Sequence, residues 1–322
     1  MIFRREYAII GTKDRFMEDK AMGEVLLKAG AYILIIVMGY TLKKVGFFGK
    51  EDYKIIMKVA LNITLPAAVL HNFATFDFNI ALIYCTGIAL VLNFILLGMG
   101  FFITRKKDAS TKALYMVNFP SYNIGSFTMP YVQGFLGPLG VVCTCLFDCG
   151  NAVMCTGGIY AMTSRYLGGK GQTVKETLKK LLTTPFCTYL IMLAISIAGI
   201  KIPDFLLTLT RPMANANPFV AMLMVGTMFE FNPNRAFLRK AVTIVLVRYF
   251  MATLFAVAFY LLPFPLEVRQ VLTIIAFAPC SAMSPAFTQK LGSDHELASF
   301  TGSLTIVLSI IIITVLIAVM GL

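Results

Sequence analysis

The sequence predicts an all-α membrane protein of ten transmembrane helices, arranged as a five-plus-five inverted repeat with two proline-broken crossover helices. Three observations carry this. Of 322 residues, 58% are hydrophobic and 14% charged, whereas a soluble domain carries roughly 25% charged residues. Apolar runs long enough to cross a bilayer recur from end to end. Two of these runs hold a proline in mid-run, Pro120 and Pro279, which lie 159 residues apart and so at similar places in the two halves.

In chain order the runs are 24–42, 53–74, 79–103, 111–134, 138–163, 178–199, 204–229, 237–262, 267–290 and 295–321. Ile80–Ile103 and Leu297–Leu322 contain no charge at all. An uncharged stretch from Ala113 to Phe147 is too long for one span and divides at Phe135-Leu136-Gly137-Pro138; Leu262-Pro263-Phe264-Pro265 closes the eighth run. Residues 1–22 form a charged leader with no apolar core of the signal-peptide kind, and no chemistry is expected of it. The organisation expected is leader 1–22, first repeat 23–165, a cytoplasmic linker 166–177, and second repeat 178–322.

Basic residues test the count. Seventeen Lys and Arg sit in or beside loops that follow odd-numbered spans, against only Lys201 and Arg269 after even-numbered ones. Positive-inside reasoning places the first set in the cytoplasm and both termini outside. An odd number of spans per half makes the second half enter from the opposite face, so the repeat is inverted and the fourth and ninth spans are equivalents. A fainter echo pairs Asn62-Ile63-Thr64-Leu65-Pro66 with Asn215-Ala216-Asn217-Pro218.

The breaks are where chemistry is expected. Proline lacks an N–H and crowds the preceding turn, so backbone groups are freed, and freed groups survive at membrane depth only inside protein or beside water. Interrupted spans at matching positions of two halves point to a secondary transporter's binding site. Two half-helix N-termini aimed at one point favour an anion such as a carboxylate. Around the first break lie Asn118, Pro120, Ser121, Tyr122, Asn123, Gly125 and Ser126; around the second lie Pro279, Ser281 and Ser284. Gly125 is expected to let backbones come close. The competing reading is a pair of kinks whose Ser and Asn patch freed carbonyls.

Asp148 is the one acid deep in a clearly apolar run, and Asn151 follows it one helical turn later. An ionisable side chain inside the membrane is functional by default, so the pair is expected to hold a proton or Na⁺; a helix-packing hydrogen bond is the plainer alternative. Arg248 is either a counter-charge for Asp148 or the substrate, or, the favoured expectation, a side chain snorkelling to the cytoplasmic surface. Asn215 and Asn217 are candidates for cavity lining. His71 and His295 stand alone near helix ends and read as packing or surface residues.

Several classes are excluded or disfavoured. The net charge of +12 is spread over short loops rather than one basic face, so no nucleic-acid partner is expected. Gly168-Gly169-Lys170-Gly171 is not a phosphate-binding loop. The seven cysteines lie mostly in apolar runs and read as small packing residues, with no metal site and no cofactor beyond a coupling ion. No catalytic constellation is present, so an enzyme is not expected.

Taken in order, several segments resemble the auxin efflux carrier family, whose bacterial members are described as permeases for malate and other organic acids. These are Gly39-Tyr40 with the basic pair and Gly46 after it; Leu61-Asn62-Ile63-Thr64-Leu65-Pro66-Ala67; Asn123 to Pro130; Phe147-Asp148-Cys149-Gly150-Asn151; Ala278-Pro279; Leu291 to Asp294; and Leu297-Ala298-Ser299. The likeness covers roughly residues 25–320. It implies a scaffold plus a transport bundle containing the crossover, a small organic anion as substrate, elevator-like alternating access in the cytoplasmic membrane, and a homodimer. A sodium-coupled symporter of bile-acid-like amphiphiles and a non-transporting membrane sensor are the alternatives.

Overall fold

The computed structural model describes residues 2–77, 79–169, 171–229 and 235–322, with side chains from Gly23 onward except those of 78, 170, 174 and 230–237. Every regular element among them is helical. The helices are α1 (Ile2–Lys44), α2 (Tyr53–Val59), α3 (Leu65–Ala74), α4 (Tyr84–Thr104), α5 (Ala109–Asn118), α6 (Met129–Phe135), α7 (Gly137–Val153), α8 (Ile159–Tyr166), α9 (Val174–Leu181), α10 (Thr184–Ile197), α11 (Asp204–Met228), α12 (Arg235–Leu261), α13 (Leu266–Ala276), α14 (Ser284–Lys290) and α15 (His295–Met320). α1 continues back through the leader without a break.

Wide π-type turns join several of these into longer rods. Ala60–Thr64 links α2 to α3, and Ile124–Thr128 leads into α6. Each is followed two residues on by a proline, Pro66 and Pro130. A proline ring pushes on the carbonyl one turn back, and widening that turn relieves the clash. Met154–Gly158 similarly links α7 to α8.

Among the described residues six helical segments are long and apolar enough to cross a membrane: Gly23–Lys44, Tyr53–Ala74, Ile80–Thr104, Gly137–Tyr166, Leu238–Leu261 and His295–Met320. The four other apolar runs differ for visible reasons. The fourth and ninth are interrupted. α11 carries Arg211, Asn215 and Asn217 along with two internal prolines, Pro212 and Pro218. The sixth starts later than its hydropathy suggests: α9 and α10 meet at a 77° bend, and the apolar helix begins at Thr184. Thr183 caps it by accepting from Phe186 N, and Pro185 sits in the first turn, where its missing N–H would have no helical partner anyway. Lys179 and Lys180 therefore belong to the separate helix α9, which opens with a capping box between Thr173 and Glu176.

The α7 rod sits at the centre. Over its most apolar stretch 72% of Gly137–Tyr166 is buried, against 22–39% for the other five segments. It packs on α3, α4, α6, α10 and α13. A Cβ at Gly150 would collide with the Thr86 carbonyl, so only glycine lets α4 and α7 approach this closely. On the other side α1 lies along α11, where a Cβ at Gly226 would strike the Ile36 carbonyl. The cysteines are all free thiols, five of them buried.

Candidate functional site

α5 stops at Asn118 and the chain runs non-helically through Phe119-Pro120-Ser121-Tyr122-Asn123 before the turn at Ile124. α13 stops at Ala276, and residues 277–283 intervene before α14. The two breaks touch. Asn123 N donates to Pro279 O at 3.0 Å. Cys280 Sγ donates to Asn118 O at 3.3 Å, and the Ser121 and Ser284 hydroxyls stand 3.5 Å apart. Asn118 Nδ2 ties α5 to α14 through Thr288 Oγ1 at 3.1 Å. Ser121 adopts φ +68°, a left-handed conformation that is unfavourable for a residue with a Cβ.

Two asparagine side chains supply what the broken backbone lacks. Asn93 Oδ1, on α4, accepts from Ser121 N at 2.6 Å. Asn151, on α7, engages both backbone groups of Tyr122: Oδ1 accepts from the N–H at 3.0 Å and Nδ2 donates to the carbonyl at 2.9 Å. Asn151 Nδ2 also donates to Asp148 Oδ1 at 2.9 Å, so both of its amide hydrogens are committed. Asp148 Oδ2 accepts from Tyr189 OH on α10 at 3.2 Å. A carboxylate has about four acceptor positions, so Asp148 keeps capacity for another donor.

Arg248 does not snorkel. Its side chain is 2% exposed and sits 13 residues from either end of α12, roughly 20 Å of helix rise, which no arginine stem can span. Nor does it pair with Asp148. Its NH1 donates to Phe119 O at 2.5 Å and Pro120 O at 3.4 Å, its NH2 to Ala278 O at 3.0 Å and Pro279 O at 3.2 Å. The guanidinium also stacks 4.7 Å from the centre of the Tyr122 ring.

A cavity of about 400 Å³ opens against the crossing. Of the residues expected from sequence, Tyr122, Asn123, Gly125, Ser126, Ser281, Asp148 and Asn151 line it. Asn118, Pro120, Ser121, Pro279 and Ser284 form the crossing behind it. Met57, Leu61, Ile124, Met228 and Met283 make its apolar lining, and Lys54 and Thr183, both exposed, line it as well. A larger cavity, about 690 Å³, is lined by Glu24, Lys28, Gly134 and the last residues of the chain and includes none of the break residues.

Three sequence expectations about this region need correction. Asn215 is exposed, and Asn217 is buried between Thr64 Oγ1 at 3.0 Å and Gln133 Oε1 at 2.9 Å; neither lines the cavity, because residues two apart on a helix face nearly opposite ways. A Cβ at Gly125 would meet only side chains, at 3.5 Å and beyond, so no close backbone approach depends on that glycine. The two half-helix N-termini are also unequal. Ser281 caps its own end, accepting from Met283 N through Oγ at 3.2 Å and from Ser284 N through its carbonyl at 3.0 Å. Asn93 and Tyr189 were missed. Asn93 had a signal, as the one side-chain amide within an uncharged span; Tyr189 had none.

Known proteins give this geometry a context. The chain is 19% identical over 284 residues to an uncharacterized transporter of Methanothermobacter thermautotrophicus, a match covering 87% of this chain and 93% of the relative. Residues 31–176, which include the first break and the α7 pair Asp148 and Asn151, match the family model described as membrane transport protein. This agrees with the family resemblance read from the residues, and with several apolar spans it supports a multi-pass membrane protein whose residues 31–176 are similar to the membrane transport protein family.

Proposed function

We propose that the protein is a secondary active transporter of small organic anions, carboxylates of the malate type, working by alternating access in the cytoplasmic membrane. The observation that carries the reading is the meeting of the two broken helices beside a cavity lined by both. The helical segment beginning at Ile124 starts with N–H groups that have no helical partner, and Ile124, Gly125, Ser126 and Ser281 line the same cavity. Together they suit a carboxylate. Asp148, with its spare acceptor capacity and its Asn151 partner, is the group proposed to carry a coupling proton or Na⁺.

In this reading the chain makes ten spans as two inverted repeats of five, with the four interrupted or polar runs counted as spans. Support comes from the packing of α3 against α11, which brings the echoed Thr64 and Asn217 into hydrogen-bond contact. With both termini outside, Lys54 lies on the cytoplasmic side. A homodimer belongs to the same proposal. The apolar wall also favours a second reading, a sodium-coupled symporter of bile-acid-like amphiphiles.

The test is binding and uptake. Purified protein is screened for thermal stabilisation by mono- and dicarboxylates, since a ligand that binds only the folded state raises its stability with concentration. Uptake of each binder into proteoliposomes then follows under an imposed pH or Na⁺ gradient. Stabilisation by small dicarboxylates favours the first reading; stabilisation by amphiphiles with Na⁺-driven uptake favours the second. Asp148→Asn is expected to keep binding and to lose the gradient dependence of uptake. Unchanged dependence removes Asp148 from coupling.

A further inference from the structure

The C-terminal ends of two half-helices converge on a single point in the crossing, and a guanidinium occupies it. The carbonyls at and beyond Asn118 in α5 and Ala276 in α13 lack helical partners, and each helix end carries about half a negative charge. Unwound carbonyls and half-helix C-termini at a transporter's midplane are general ligands for a coupling cation, because ringed carbonyl oxygens replace a hydration shell. Here the four oxygens, Phe119, Pro120, Ala278 and Pro279, all face Arg248, one amino group to each break. Arg248 forms no ion pair with any described residue, so no described carboxylate lies within 4.0 Å of it. Carbonyl dipoles, not an acid, balance its charge, and its Nε has no hydrogen-bond partner.

We propose that Arg248 is a built-in cation. Its guanidinium fills the carbonyl cage that in a cation-coupled carrier would receive Na⁺, so the crossing binds no mobile metal cation and Na⁺ coupling does not run through it. The planar fork suits the task, since its two amino groups diverge to serve two chain segments where a single ammonium would reach fewer oxygens. Arg248 is thus a positioning residue. It holds both breaks in register, and its guanidinium lies against the Tyr122 ring while staying outside the cavity lining.

The test uses detergent-purified full-length protein and needs no substrate. Melting temperatures of wild type, Arg248→Lys and Arg248→Ala are compared in choline chloride, sodium chloride and low-millimolar guanidinium chloride. Wild type is expected to be indifferent to the cation. Arg248→Ala should melt roughly 10 °C lower in choline and regain most of the loss in guanidinium and part of it in Na⁺; Arg248→Lys should fall between. If Arg248→Ala melts like wild type, or responds to guanidinium no more than to choline, the proposal is overturned. Should Arg248→Ala fold too poorly to purify in choline, recovery of a monodisperse protein in guanidinium supports the proposal and failure to recover it overturns it. Failure of the carboxylate reading would show in uptake and ligand screens, leaving this series unaffected.

Discussion

In the first break the backbone N–H groups of Ser121 and Tyr122 end on side chains from α4 and α7, and the residue between proline and tyrosine is forced to positive φ. In the second, Phe277 and Ala278 tighten onto Ile274 and Ile275, and Ser281 caps the helix that follows. What reaches the second break from outside is Arg248 and, from α15, Thr305 Oγ1 on Cys280 N and Ser309 Oγ on Phe277 O. Two similarly placed prolines thus accompany unequal sites. The first break takes its shape from distant helices, and one of them, α7, carries Asp148 and lines the cavity, so a change in the cavity can be felt in the backbone and the reverse.

That comparison is broken most forcefully at Asn151. Asn151→Leu fills the space but strands the N–H and carbonyl of Tyr122, each worth about 1–3 kcal/mol when buried without a partner. Thermal unfolding should show a loss of several kcal/mol. A loss below about 1 kcal/mol would mean that Tyr122 finds other partners and that the first break is not held by α7.

Next comes a matched pair. Asn93→Ala leaves Ser121 N–H buried and unpaired and should cost about 1–3 kcal/mol. Ser281→Ala removes only a local cap at the second break and should cost about 1 kcal/mol or less. Equal losses in the two variants would contradict the distinction between a first break that depends on a side chain from α4 and a helix after the second break that is capped by its own Ser281.

These particular residues also show what the sequence could and could not disclose. Pro120 and Pro279 act on their own neighbours, through a missing N–H and a ring clash, so a one-dimensional reading finds them. Asp148 stands out because charge is rare in an apolar run. Asn93 and Arg248 act on backbone 28 and up to 129 residues away, and no local pattern encodes a partner at that distance. Even so, the depth of Arg248 was arithmetic: a residue eight positions past Lys240 lies about 12 Å further along the helix, at the limit of what snorkelling can cover. The start of the sixth span was misplaced because hydropathy does not register the capping of α10 by Thr183. The ordering of α9 as a separate amphipathic helix depends on Thr173 and Glu176, a spacing that is visible once a helix start is sought there.

A milder change sharpens the comparison from the strained residue itself. Ser121→Gly relieves the positive φ at a position where glycine carries no Cβ penalty, offset by the greater freedom of glycine in the unfolded chain. The expected net gain is at most about 1 kcal/mol in thermal unfolding. A destabilised Ser121→Gly would instead assign the hydroxyl, 3.5 Å from Ser284 Oγ, a share in joining the two breaks.

The smallest effect concerns where the broken helices begin. α13 starts after Pro265 with no side-chain cap, whereas α5 starts at Asp108, whose carboxylate accepts from Thr111 N at 2.9 Å and Thr111 Oγ1 at 2.8 Å. Those hydrogen bonds hold the Asp108 carboxyl below the ordinary aspartate range. A group whose folded pKa is depressed contributes stability above its unfolded value, and that contribution fades as pH falls through the folded one. Asp108→Asn keeps a neutral acceptor and removes only the charge. Its melting temperature should therefore lie slightly below wild type near neutral pH, and the gap should close as pH drops below about 4. A gap that persists unchanged to low pH would show that geometry, not charge, makes Asp108 the cap of the helix leading into the first break.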